Sequence, residues 1–297
     1  MSTTSQSDKI AFVKTRYLFL WLILFYVVYS FIYGFLEAYT TALPSYPDPL
    51  VTHVLYSFSF VSLCLYLRRK LKRSQINPSY LIGNLRPSYS WLPLLGTAII
   101  FLLFSLGAAL LSFKAISLLF PGWYESILET ASEQDARVSI FPTINRIWQT
   151  VNYVAIAPVT EEFIFRGVLL HRLATKWNLP IAIWISSIIF GFLHPNPVGI
   201  SVVGIAWALL YLKTRTLVVP IIAHSMNNTL VVLGEFIGEL SNSNDAVIES
   251  ANSTDGQEWI AGLILIAISL PFILRFIYRR FPRKDITLPY FANQAQT

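Results

Sequence analysis

Three short stretches of this sequence combine residue types that can hydrolyse an amide bond. The first is VTEEFIFRGVLL, Val159 to Leu170, where two adjacent glutamates and an arginine interrupt an apolar run. Glu162 and Arg166 stand four residues apart, acid before base, so they can pair along one helical face. With 3.6 residues per turn, Glu161 points ~100° away from its neighbour. One carboxylate is therefore neutralised and the other is left to act. The second stretch is FGFLH, Phe190 to His194, and the third is HSMNN, His224 to Asn228. Both have i,i+4 spacing, and the third puts an imidazole and an amide on one face.

Amide hydrolysis needs a base for water and donors for the oxyanion that develops. Glu161 with His194 can supply the base, and the Asn228 amide with His224 can supply the donors. The same side chains allow another arrangement: Glu161, His194 and His224 as zinc ligands, with metal-bound water as the nucleophile. The motifs offer only two histidines, which tilts the reading toward a metal-free site. A divalent metal such as zinc stays open as the alternative. Other protease chemistries lack their residues, for the chain has no HExxH, no aspartate pair within a span and no GxSxG.

These groups sit in a chain suited to hydrocarbon. Of 297 residues, 55% are apolar and 13% charged, and the mean hydropathy is +0.56. A soluble globule carries roughly a quarter charged residues. Tyr17–Leu36 runs 20 residues without a charge and Leu92–Phe113 runs 22, each enough to cross ~30 Å of hydrocarbon. Eight spans are expected, at about 17–36, 49–67, 92–113, 147–170, 180–194, 199–212, 216–238 and 259–278. The expected fold is all-α: one integral-membrane domain over 1–297, a polytopic bundle of about eight helices. The three motifs fall in a catalytic core at 147–238. From the helical rise, Glu161 lies ~22 Å from the basic edge, His194 ~21 Å, His224 ~13 Å and Asn228 ~20 Å. Ionisable groups at such depth need a functional reason, and three helices place them at overlapping depth.

Charge placement orients the chain. Lys9, Lys14 and Arg16 precede the first span, and Arg68, Arg69, Lys70, Lys72 and Arg73 follow the second. Arg172, Lys176, Lys213, Arg215 and the cluster Arg275–Lys284 fall on the same side if the spans alternate. The loop 239–258 has five acids and no base. The positive-inside rule then makes both termini cytoplasmic, in a multi-pass protein of the cytoplasmic (inner) membrane. The net charge of +6 is thus a topology signal and not a nucleic-acid footprint. Segment 114–146 is the one sizeable extramembrane or interfacial piece, with Glu125, Glu129 and Glu133 striping one helical face. The tail 285–297 reads as disordered. Cys64 reads as a packed thiol, His53, His171 and Glu235 as structural or interfacial, and Trp148, Trp177 and Trp259 as an aromatic belt.

EEFIFR, FGFLH and HSMNN, in that order and each inside a span, resemble the signature of the CAAX protease and bacteriocin-processing (CPBP, or Abi) family of intramembrane endopeptidases. The resemblance covers about a quarter of the chain and is similar to that of the type-2 CAAX prenyl proteases. It implies a helical bundle with a polar intramembrane cavity, membrane lipid around it, and a membrane-associated protein or peptide as substrate, CAAX-type prenylated or bacteriocin-like. By position it implies that Glu161 and His194 activate water, His224 and Asn228 stabilise the oxyanion, and Arg166 holds Glu162, with Phe190 supporting the site. The rival reading is a non-enzymatic membrane protein, a proton-coupled transporter or an immunity-type binder, since intramembrane Glu and His also suit proton relays. A transporter more typically shows paired halves, and no such duplication is present.

Overall fold

The computed structural model describes residues 20, 27–28, 31, 48–135, 139, 141–240, 257–282 and 286–296. Most of the expected first span and of the acidic loop 239–258 lie outside the described residues. Helix α1 (Pro49–Arg73) opens with proline in its first turn and an Asp48 carboxylate accepting the Leu50 N–H at 2.8 Å. Lys70, Lys72 and Arg73 close it, cations against the negative end of the helix dipole. After the short α2 (Pro78–Ile82) come α3 (Leu92–Leu119) and α4 (Pro121–Asp135). A continuous helical run then covers α5 (Pro142–Val151), a π-helical segment Asn152–Ile156, α6 (Ala157–Glu162), a second π-helical segment Phe163–Leu169, and α7 (Leu170–Lys176). The remaining helices are α8 (Leu179–Phe192), α9 (Pro197–Thr214), α10 (Val218–Leu240), α11 (Glu258–Arg280) and α12 (Pro289–Gln294).

No strand occurs among the described residues, and the fold is all-α as expected. Four helices, α1, α3, α9 and α11, are long and apolar enough to cross a membrane, which makes this an integral membrane protein. The expected fourth, fifth and seventh spans correspond to the run 142–176, to α8 and to α10.

Helix α9 lies at the centre, packed against α3, α8 and α10, with Trp207 and Tyr211 wholly buried. Around it, Phe58, Leu92 and Phe272 point outward. Lipid tails are as apolar as leucine, so helix association rests on close packing more than on removing apolar surface from water. Helices α3 and α11 show this, because a Cβ on Gly107 would come within 2.8 Å of the Gly262 carbonyl. Only two glycines let these backbones touch.

Within 114–146, α3 continues to Leu119 and α4 follows, with Leu118, Phe120 and Trp123 exposed beside exposed Glu125 and Glu129. One expectation changes beyond α11. The tail read as disordered is instead a docked element. Tyr290 is buried, its N–H donates to His171 Nε2 at 3.3 Å, and its ring meets Tyr80 edge-on at 5.7 Å. The Asn293 amide donates to the carbonyls of Tyr80 (2.9 Å) and Arg215 (2.8 Å). A short polar tail reads as disordered by composition, but here proline starts a helical turn that buries one aromatic ring against distant segments. His171 is the inner anchor of this contact. Since Nε2 accepts from Tyr290, its proton sits on Nδ1 and donates to the Arg166 carbonyl at 3.1 Å.

Candidate active site

The helical run 142–176 carries the two glutamates between its π-helical segments, and Pro158 explains part of that arrangement. In the first π segment the Ala157 N–H reaches back five residues to the Asn152 carbonyl. The next bond in that register would join residue 158 to the Tyr153 carbonyl, but proline has no N–H. Asn228 supplies the missing donor, its Nδ2 reaching the Tyr153 carbonyl at 2.8 Å. The asparagine of the third motif is thereby tied to the helix that bears the first.

Glu161 is 5% exposed, and its two oxygens have different surroundings. Oε1 accepts from the Tyr56 hydroxyl at 2.8 Å. Oε2 is buried without a hydrogen-bond partner and faces His194 Nε2 at 3.8 Å and His224 Nε2 at 4.0 Å. Glu162 turns the other way, as the helical spacing requires. Its Oε1 accepts from Arg166 Nη1 at 2.9 Å and from His224 Nδ1 at 3.1 Å. Arg166 donates through Nη2 to the Gly204 carbonyl on α9 at 3.0 Å, and its guanidinium lies 4.4 Å from the centre of the Phe190 ring. Buried charges need a partner, and an arginine over an aromatic face gains further; Glu162 Oε2, like Glu161 Oε2, is buried without a hydrogen-bond partner. The expected Glu162–Arg166 pair is present, and it also anchors His224.

His194 was expected inside the fifth span. It lies instead just past the end of α8, where its N–H bonds the Gly191 carbonyl at 2.9 Å and its Nδ1 the Phe190 carbonyl at 2.7 Å. Pro195 is the cause, because the residue before a proline is pushed out of the helical region and the last carbonyls need other donors. The imidazole caps one of them, which leaves Nε2 directed at Glu161. Gly191 makes room for the returning chain, since a Cβ there would collide with the Pro197 carbonyl and the Ser201 hydroxyl on α9. Phe190 lies against both histidines, its ring tilted 50° to His194 with centroids 4.7 Å apart and edge-on to His224 at 5.8 Å.

Glu161, Glu162, Arg166, Phe190, His194 and His224 thus form one contact network, with Asn228 joined to it through Tyr153 and one helical turn beyond His224. The sequence reading missed Tyr56 on α1 and the Gly204 carbonyl, neither of which has a local signal. It also left Pro158 unread, although a proline three residues before the glutamates marks a break in the helical ladder. His53, read as structural, sets its ring edge-on to Tyr153 at 6.2 Å, and Cys64 packs its Sγ 3.6 Å from the Thr160 carbonyl.

The zinc arrangement can be tested on these distances. Tetrahedral ligands ~2.1 Å from zinc stand ~3.4 Å from one another. Glu161 Oε2 is 3.8 and 4.0 Å from the two imidazole nitrogens. Among the described residues no group of three His, Cys, Asp or Glu is drawn together closely enough to hold an ion. The residues as arranged do not fit the three-ligand site.

Residues 143–230 match the family model described as type II CAAX prenyl endopeptidase Rce1-like. That range contains all three motifs. Over that range the chain is similar to the type II CAAX prenyl endopeptidases. Two curated relatives align with it. One is "Putative membrane peptidase YdiL" of Bacillus subtilis (strain 168), 40% identical over 81 residues, covering 26% of this chain and 33% of the relative. The other is "Membrane-embedded CAAX protease MroQ" of Staphylococcus aureus (strain USA300), 36% identical over 91 residues, covering 28% of this chain and 37% of the relative. The chain therefore spans about a third of the length of the curated relatives it matches. No solved structure matches it at a significant level.

Proposed function

We propose that this protein is an intramembrane endopeptidase that hydrolyses a peptide bond of a membrane-associated substrate, with Glu161 as the base. The observation that carries the reading is the unpartnered, buried Oε2 of Glu161 facing two imidazole nitrogens across a gap of about 4 Å. A carboxylate oxygen left unbonded in a low-dielectric interior is costly. Two atoms that far apart can both lie ~2.8 Å from one water oxygen set about 2 Å to the side of their line.

The hydrogen-bond pattern supports separate roles for the two histidines. His194 uses its Nδ1–H on the Phe190 carbonyl, so its neutral Nε2 is an acceptor. His224 uses its Nδ1–H on the Glu162 carboxylate, so its neutral Nε2 is an acceptor too. With Glu161 Oε2, three acceptors face one gap, and a water can donate to only two. A role for His224 as an oxyanion donor requires a hydrogen on Nε2 during turnover, with the Glu162 carboxylate beside Nδ1.

In this arrangement water donates to Glu161 Oε2 and His194 Nε2. As water attacks the scissile carbonyl, its proton passes to Glu161. His224 Nε2–H and the second N–H of the Asn228 amide donate to the new oxyanion. Glu161 then returns the proton to the leaving amine, which completes hydrolysis. The substrate class is a CAAX-type prenylated protein or a bacteriocin-like peptide, in keeping with the family and with the printed name of the staphylococcal relative. The test is cleavage of matched peptides, with and without a farnesyl group, by purified full-length protein. Wild type should cleave, and Glu161→Gln should stay folded and lose turnover by several orders of magnitude. Stoichiometric zinc in the active protein, together with loss of turnover on chelation and recovery on adding metal, would replace this mechanism with the zinc-water one.

A further inference from the structure

We propose that Tyr56 is a positioning residue of this site: it determines which oxygen of Glu161 faces the two histidines. The inference rests on reading Glu161 as the base. A glutamate has three side-chain torsions, the last of them broad, so its carboxylate does not aim itself. Glu162 is held by Arg166 and His224, whereas the hydrogen bond that holds Glu161 comes from Tyr56, 105 residues away on α1. The phenol O–H donates to Oε1 at 2.8 Å. With that oxygen engaged, Oε2 is the acceptor left for the gap, which is where the structure places it.

Tyr56 is itself built to be stationary. Its ring packs on Phe60 with centroids 4.5 Å apart. One further turn along the same face, Cys64 Sγ meets the Thr160 carbonyl at 3.6 Å, immediately before Glu161 in the chain. Residues 56, 60 and 64 form an i, i+4, i+8 stripe, so α1 presents one face to α6 and pins its register at two points. Helix α1 precedes the segment 143–230 that carries the family motifs. The motif region therefore supplies the reacting groups, and a helix outside it supplies their aim.

The test compares Tyr56→Phe, Glu161→Gln and the double variant in the full-length protein in detergent. The substrate is a farnesylated, internally quenched peptide with a C-terminal CAAX tetrad. Phenylalanine keeps the packing on Phe60 and removes only the hydroxyl. Turnover of Tyr56→Phe should fall about 10- to 100-fold, the worth of one hydrogen bond to a charged group. KM and the thermal midpoint should stay at wild-type values, and adding Tyr56→Phe to Glu161→Gln should cause no further loss. A merely structural tyrosine would lower the midpoint or raise KM instead, and that result overturns the proposal. Wild-type turnover in Tyr56→Phe beside an inactive Glu161→Gln overturns it while leaving Glu161 as the base. An active Glu161→Gln overturns both readings. An independent readout is the infrared carboxylate band lost in Glu161→Gln. It should shift in Tyr56→Phe, and an unshifted band means that no such hydrogen bond exists.

Discussion

Replacing both members of the buried Glu162–Arg166 pair should separate what holds the bundle from what aligns the site. Glu162 is fully buried and Arg166 is 2% exposed, and their 2.9 Å contact is flanked by His224 and the Gly204 carbonyl. Glu162→Leu leaves a guanidinium without its counter-ion, and Arg166→Met leaves a carboxylate with only an imidazole. Breaking a buried pair from one side costs about 3–5 kcal/mol. At roughly 2–4 °C per kcal/mol for a chain of this order, each single variant should melt about 10 °C lower. Removing both charges at once cancels most of that cost, because an apolar pair of similar volume is about as stable as a buried ion pair. The Gly204 carbonyl still loses its donor, so a residual deficit of about 1–3 kcal/mol remains. The double variant should therefore melt well above either single variant. Its turnover should not recover, because His224 Nδ1 has lost its carboxylate. Thermal unfolding in detergent and turnover, measured on the same preparations, read the two effects separately. A double variant as unstable as the singles refutes the pairing argument. One that regains turnover along with stability shows that the Glu162–His224 bond does not matter to the chemistry.

Two other outcomes follow from the geometry. Asn228→Ala should lower turnover by about 10²- to 10³-fold, the usual loss for one oxyanion donor, as measured in steady-state assays on folded protein. His171→Leu removes the acceptor of the buried Tyr290 N–H, so hydrogen exchange at 286–296 should accelerate relative to wild type at one fixed pH, as read by mass spectrometry.

Much of the site was legible from spacing alone, and the reason is local. Glu162 and Arg166 share one helical run, as do His224 and Asn228, and helix geometry brings residues four apart together whatever surrounds them. Local rules misled at the end of α8, where the i,i+4 relation of Phe190 and His194 was read as a helical face. Pro195 ends the helix there, and the imidazole bonds the Phe190 carbonyl as a cap. The tail was misread because composition reports how a segment behaves alone. Tyr290 and Asn293 are ordered by partners at Tyr80, His171 and Arg215.

By itself the sequence determined that the chain enters a membrane, that it does so as helices, and which short motifs carry the ionisable groups at depth. Those properties depend on residue type and on the period of a single helix. Tertiary structure alone decided that Tyr56 holds Glu161, that Glu162 serves His224 as well as Arg166, and that Asn228 reaches the carbonyl orphaned by Pro158. Each of these links joins different helices or distant turns. In lipid every apolar face is matched by the solvent, so hydrophobic periodicity does not say which helix lies beside which. That choice is made by close packing and by the few polar groups that find no partner in hydrocarbon, and both come into being only when the helices meet.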